Sequence, residues 1–150
     1  MATIEEETTE RPRKTIAAVF HGPGRPLELR ELPIPPLEPG ELLVEVTLST
    51  ICGSDLHTFT GQRSCECPTI LGHEIVGRVA ESSDSVRDLF GNEVRMGDRI
   101  TWSIASSCGE CFFCSNTLPQ KCEQLAKYGH ERLETRGLVG GLAKHCRLMP

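Results

Sequence analysis

Four cysteines stand close together as Cys108-Gly-Glu-Cys111-Phe-Phe-Cys114, followed after a short spacer by Cys122. Thiolates so placed can converge on one metal ion. Four sulfurs satisfy a tetrahedral zinc and leave no open position, so such a site is structural. A second candidate set lies upstream. Cys52 and His73 are mixed in type and widely spaced, as expected of a site that keeps one coordination position free for a reactant.

The neighbours of the second set could supply the rest of a reaction centre. Asp55 is placed to accept the free N–H of His73 and fix its tautomer. Ser54 and His57 offer a hydroxyl and an imidazole that could carry a proton from a metal-held oxygen to solvent. Glu74 follows His73 directly. Successive strand residues point to opposite faces, so His73 and Glu74 face one metal only where the backbone is irregular. Glu74 is therefore read as a near-metal carboxylate or occasional ligand. Each residue also has a plainer role open to it. Cys52 could pack as a small hydrophobe, Ser54 or Asp55 could cap a helix, and either histidine could be structural.

These residues need a scaffold. The pattern predicts strands over 15–20, 27–32, 41–50, 70–80, 100–104 and 142–148, with a short helix over 54–60. In the second of these Leu27, Leu29 and Leu32 suggest a half-buried face. Pro33 to Pro39 is too rich in proline for a central strand and reads as an extended connector. Short strands between Gly and Pro punctuation point to a mostly-β barrel or sandwich. Residues 1–13 read as a disordered acidic tail, with Glu5, Glu6, Glu7 and Glu10 among threonines. Residues 14–150 read as one domain.

Composition narrows the class. The 150 residues carry a net charge of -5, and Lys and Arg form no stripe, so no nucleic-acid partner is expected. The longest apolar run, Ile16 to Phe20, is too short for a membrane span or a secretory signal. Eight cysteines without a signal peptide point to a reducing, cytoplasmic compartment, where clustered cysteines hold metals. Cys65, Cys67 and Cys146 belong to neither set.

The pattern Cys52-Gly-Ser-Asp-Leu-His57, then Gly72-His73-Glu74 with Gly77, resembles the zinc-dependent medium-chain alcohol dehydrogenases, which include sorbitol and threonine dehydrogenase-like enzymes. Met96-Gly-Asp-Arg-Ile100, the four-cysteine lobe and Gly140-Gly-Leu-Ala143 extend the resemblance from about Lys14 to Pro150. Segments 20–27, 118–122 and 127–131 are similar to a branch proposed to act in phosphonate catabolism. The resemblance implies a GroES-like, partly open β-barrel with short helices and a zinc-bound lobe. It implies a catalytic zinc on Cys52 and His73 with Glu74 adjacent, Asp55 behind His73, and a relay through Ser54 and His57. It implies a structural zinc on Cys108, Cys111, Cys114 and Cys122. The expected reaction is zinc-assisted, NAD(P)-linked oxidation of a small-molecule alcohol to an aldehyde or ketone. The family binds NAD(P) on a Rossmann domain, and its full-length members are expected to be homo-oligomers. This sequence holds no Gly-x-Gly-x-x-Gly unit, and the family's third catalytic-zinc ligand falls past residue 150. The chain alone is therefore expected to be inactive.

Two other classes compete. A non-catalytic zinc module acting through a partner chain fits the missing cofactor motif. An iron–sulfur carrier fits the spacing of Cys108, Cys111 and Cys114, but Cys122 is distant and is followed by Glu123 rather than proline.

Overall fold

A computed structural model describes residues 14–150. The proposed acidic tail, 1–13, lies outside the described residues. In β1 (Lys14–Phe20) burial alternates, with Thr15, Ala17 and Val19 inward, as a strand with one core face requires. β2 (Glu28–Pro33) pairs antiparallel with β1. Its expected half-buried face is not formed. Leu32 is buried, but Leu29 is 79% exposed, because β2 is an edge strand with core on one end only.

β3 (Leu42–Thr50) and β5 (Glu74–Ser82) form the central antiparallel pair, in register from Leu42↔Ser82 to Thr50↔Glu74. The strand expected over 70–80 is in fact two. β4 (Thr69–Ile70) pairs with β1, and β5 starts afresh at Glu74 in the other sheet. Gly72 causes the break. Its φ of 93° lies in the left-handed region that side chains avoid, and the chain turns there from one sheet to the other.

β6 (Arg99–Thr101) and β9 (His145–Leu148) flank the central pair, giving the order β6-β5-β3-β9. Both are shorter than the sequence pattern suggested. β7 (Ala105–Ser106) and β8 (Ala126–Lys127) pair separately and form the neck of the cysteine lobe. Among the described residues the strands thus make three sheets and no closed barrel. The larger two are joined by Ala18 N–H to the Leu142 carbonyl (2.8 Å) and Lys144 N–H to the Ile16 carbonyl (2.8 Å). Helix α1 (Gly53–Phe59) follows β3. The lobe carries α2 (Phe112–Ser115) and a 3-10 turn (Pro119–Lys121), and α3 (Leu133–Arg136) precedes the Gly140-Gly141 pair.

Backbone packs on backbone beneath the 71–73 turn. Gly141 N–H bonds the Gly72 carbonyl and Leu142 N–H the Leu71 carbonyl, both at 2.8 Å. A Cβ on Gly140 would stand 1.9 Å from the Ile70 carbonyl oxygen, and neither backbone can give way. Gly140→Ala is expected to cost about 3 kcal/mol or more, read from urea denaturation. A midpoint within error of the parent would contradict this packing.

Candidate metal centres

The two upstream candidates lie 21 positions apart, and the β3–β5 register brings them together. Cys52 comes just after β3 and His73 just before β5, beyond the final pair Thr50↔Glu74. The sulfur of Cys52, a ring nitrogen of His73 and a carboxylate oxygen of Glu74 all lie within 4.8 Å of one another. The irregular backbone needed for His73 and Glu74 to face one point is the Gly72 turn. Glu74 is exposed and accepts a short hydrogen bond from Thr50 Oγ1.

Asp55 holds this arrangement. It is 3% exposed and sits in the first turn of α1. Its Oδ2 accepts from Cys52 N–H (2.9 Å), closing a capping box, and Oδ1 accepts from Gly72 N–H (3.2 Å). One carboxylate therefore ties both ligand-bearing segments together. Oδ1 also lies 3.4 Å from His73 Nδ1. That contact is close enough for charge pairing but is not aligned as a hydrogen bond, and Nδ1 has no other partner. The opposite nitrogen, Nε2, faces Ser54 Oγ at 3.3 Å. A histidine whose Nδ1 is turned to a carboxylate keeps Nε2 for a metal, and His73 has that orientation. Asp55→Asn is expected to weaken metal binding at this centre by about tenfold to a hundredfold, measured by competition with a chromophoric chelator. Unchanged affinity would remove Asp55 from this role.

The proposed relay is only half assembled. Ser54 reaches His73, but His57 is exposed and its Nδ1 bonds Gln62 Oε1 at 2.6 Å. A histidine that sequence reasoning missed lies beside His73. The ring of His130 is 5.6 Å from that of His73 and lines the same small cavity as Ser54. Burial, with Arg63 adding to it, holds the His130 pKa below the ordinary imidazole value. No spacing signal marks His130.

The cysteine lobe closes on itself. Sulfur separations are 3.5 Å for Cys108–Cys122 and 4.0 Å for both Cys108–Cys114 and Cys111–Cys122. Zinc–sulfur bonds of about 2.3 Å in a tetrahedron place sulfurs about 3.8 Å apart, so the four sulfurs fit that ion. They are far from the ~2.05 Å of a disulfide. Backbone N–H groups point at the sulfurs, from Cys108 and Gln124 to Cys122 at 3.3 Å and from Cys111 to Cys108 at 3.4 Å. Such donors favour the thiolate. The N–H groups of Glu123 and Cys114 bring the Cys111 pKa down to about 6, and those of Cys108 and Gln124 lower that of Cys122.

Three cysteines stay outside both centres. Cys146 is fully buried in the core and burial pushes its thiol up to about 12. Cys65 and Cys67 lie 3.7 Å apart, and burial likewise raises Cys65 to about 12. No helix among the described residues is long and apolar enough to cross a membrane.

Residues 38–150 match the alcohol dehydrogenase GroES-like domain, the class to which this fold and its paired centres point. The chain belongs to the zinc-dependent medium-chain alcohol dehydrogenase family, through that N-terminal domain. It is 34% identical over 136 residues to zinc-type alcohol dehydrogenase B of Aspergillus flavus, covering 90% of this chain and 29% of that protein. It is similar to a solved alcohol dehydrogenase of Thermotoga maritima, with 37% identity, a TM-score of 0.81, and coverage of 90% of this chain and 38% of the other. It is also similar to acetophenone reductase of Geotrichum candidum in complex with NAD, with 28% identity, a TM-score of 0.74, and coverage of 92% and 38%. The chain thus spans about a third of the length of these relatives.

Proposed function

We propose that this domain forms the metal centre and part of the substrate pocket of an NAD(P)-linked alcohol dehydrogenase, oxidising a small alcohol to an aldehyde or ketone. The carrying observation is the Cys52, His73 and Glu74 cluster, with ligand atoms within 4.8 Å and Asp55 buried behind it. A thiolate, an imidazole and a carboxylate are all good zinc donors. One zinc belongs to this cluster and one to the cysteine lobe. NAD(P) binding is proposed for a further domain, as the NAD complex of acetophenone reductase supports.

Zinc held here supplies Lewis acidity, which lowers the pKa of an alcohol oxygen toward neutrality. The residues of the chain do the rest. Cys52 and His73 fix the position of the ion. The Asp55 carboxylate, 3.4 Å from Nδ1, would favour the His73 proton on that nitrogen by its charge and leave Nε2 for the ion. Ser54 Oγ, 3.3 Å from Nε2, is placed to accept the alcohol proton while it hands its own to the next carrier, water or His57. His57, exposed and bonded to Gln62 through Nδ1, would release that proton to solvent.

Metal counting tests the reading. The purified chain, loaded with zinc and washed free of excess, is expected to hold two ions. Dilute chelator should strip the one on Cys52 and His73 first, because that centre keeps an open side. A count of one that Cys52→Ser leaves unchanged would overturn the open centre.

A further inference from the structure

Two cations converge beside the open centre. The small cavity next to His73 is lined by Ser54, Arg63, Ile104, Lys127 and His130 among others, and no carboxylate lines it. An outer cleft of about 530 Å³ shares Arg63, Lys127 and His130 with it. The two cations come from different segments. Arg63 is held by the end of α1, where the N–H groups of Gln62 and Arg63 bond the His57 carbonyl at 2.8 and 3.1 Å. Lys127 is in β8, at the neck of the lobe.

Neither the Arg63 guanidinium nor the Lys127 ammonium has a carboxylate partner among the described residues. The outer cleft holds two carboxylates. Glu131 is engaged, accepting Lys127 backbone N–H at 2.7 Å and lying 3.9 Å from Arg136. Glu66 is exposed and lines only the outer cleft. Positive charge therefore predominates in the lining of the inner cavity. A planar guanidinium fork and a mobile ammonium recognise an oxyanion together.

We propose that Arg63 and Lys127 form an oxyanion subsite, and that the substrate is a small alcohol carrying a carboxylate or phosphate group. This rests on the metal-centre reading for the hydroxyl end and is independent of it for the anionic end. The hydroxyl goes to the Cys52 and His73 centre while the anion lies across the two cations. Neutral alcohols gain nothing from this half of the pocket.

Calorimetry on the zinc-loaded chain, with glycerol, glycerate and glycerol 3-phosphate as probes, tests the proposal. At least one anionic probe is expected to bind about tenfold or more tighter than glycerol, with the advantage shrinking as salt rises. The better of the two identifies the anionic group. The Arg63→Gln/Lys127→Gln variant should lose the advantage while keeping its melting temperature, since both side chains are exposed. Inorganic phosphate separates the two readings. Cys52→Ser should leave its binding intact and weaken only the hydroxylated probes. Equal affinity for all three probes, or an advantage that survives the double substitution, would overturn the subsite. Phosphate binding lost in the double variant would uphold it even where the zinc count had failed.

Discussion

Cys111→Ser is expected to lower the melting temperature by about 10 °C and to release the lobe zinc. Cys52→Ser should shift it by less than about 3 °C. For a domain of this size, each kcal/mol moves the melting point by about 4 °C. A closed four-thiolate site adds its binding free energy directly to folding, whereas an open site is built to hold a reactant. The lobe has little else to hold it. Phe112 is 70% exposed, and neither its helix nor its 3-10 turn buries a residue. Its N–H groups point at sulfur, so loss of the ion leaves thiolates crowded together. The loss reaches the core through the neck, because Ala126 and Tyr128 are buried in the cluster with Ile75 and Val139. Scanning calorimetry with zinc analysis reads both quantities. Equal losses in the two variants would mean that the lobe is not the structural centre.

The clustering of candidate ligands was legible in the sequence where spacing alone sets it. The lobe cysteines are close enough in the chain that few conformations keep them apart. Cys52, Asp55 and His73 were legible as types, but the agent that unites them was not. That agent is the register ending at Thr50↔Glu74, which depends on two bulges in the β3–β5 pairing. Asp55 was expected to serve His73 or to cap the helix, yet it joins the capping box through Cys52 N–H and also accepts from Gly72. Backbone partners leave no trace in residue type. His130, Arg63 and Lys127 escaped for a different reason. Each looks like an ordinary surface or loop residue until the 61–68 segment packs against 127–133, as Leu133 N–H bonding the Pro68 carbonyl at 2.8 Å shows. Leu29 misled in the opposite sense. Alternation marks a strand, but an edge strand needs no cover on both ends.

The same geometry ranks the proposed proton carriers. In a form carrying the family's dinucleotide-binding domain, Cys52→Ser and His73→Ala are expected to abolish alcohol oxidation. Ser54→Ala should slow kcat by about a hundredfold, the usual scale of general acid–base assistance. His57→Gln should cost less, about tenfold or under. Ser54 Oγ lies within hydrogen-bond reach of His73 Nε2, whereas His57 is engaged with Gln62 at 2.6 Å and faces solvent. Water can replace an exposed histidine as the last carrier more easily than it can replace a half-buried hydroxyl. Both losses should grow as pH falls, where removing the alcohol proton is hardest, while zinc content stays at the parent value. A His57 variant slower than the Ser54 variant at every pH would show that α1 presents His57 inward during turnover, and would reverse this order.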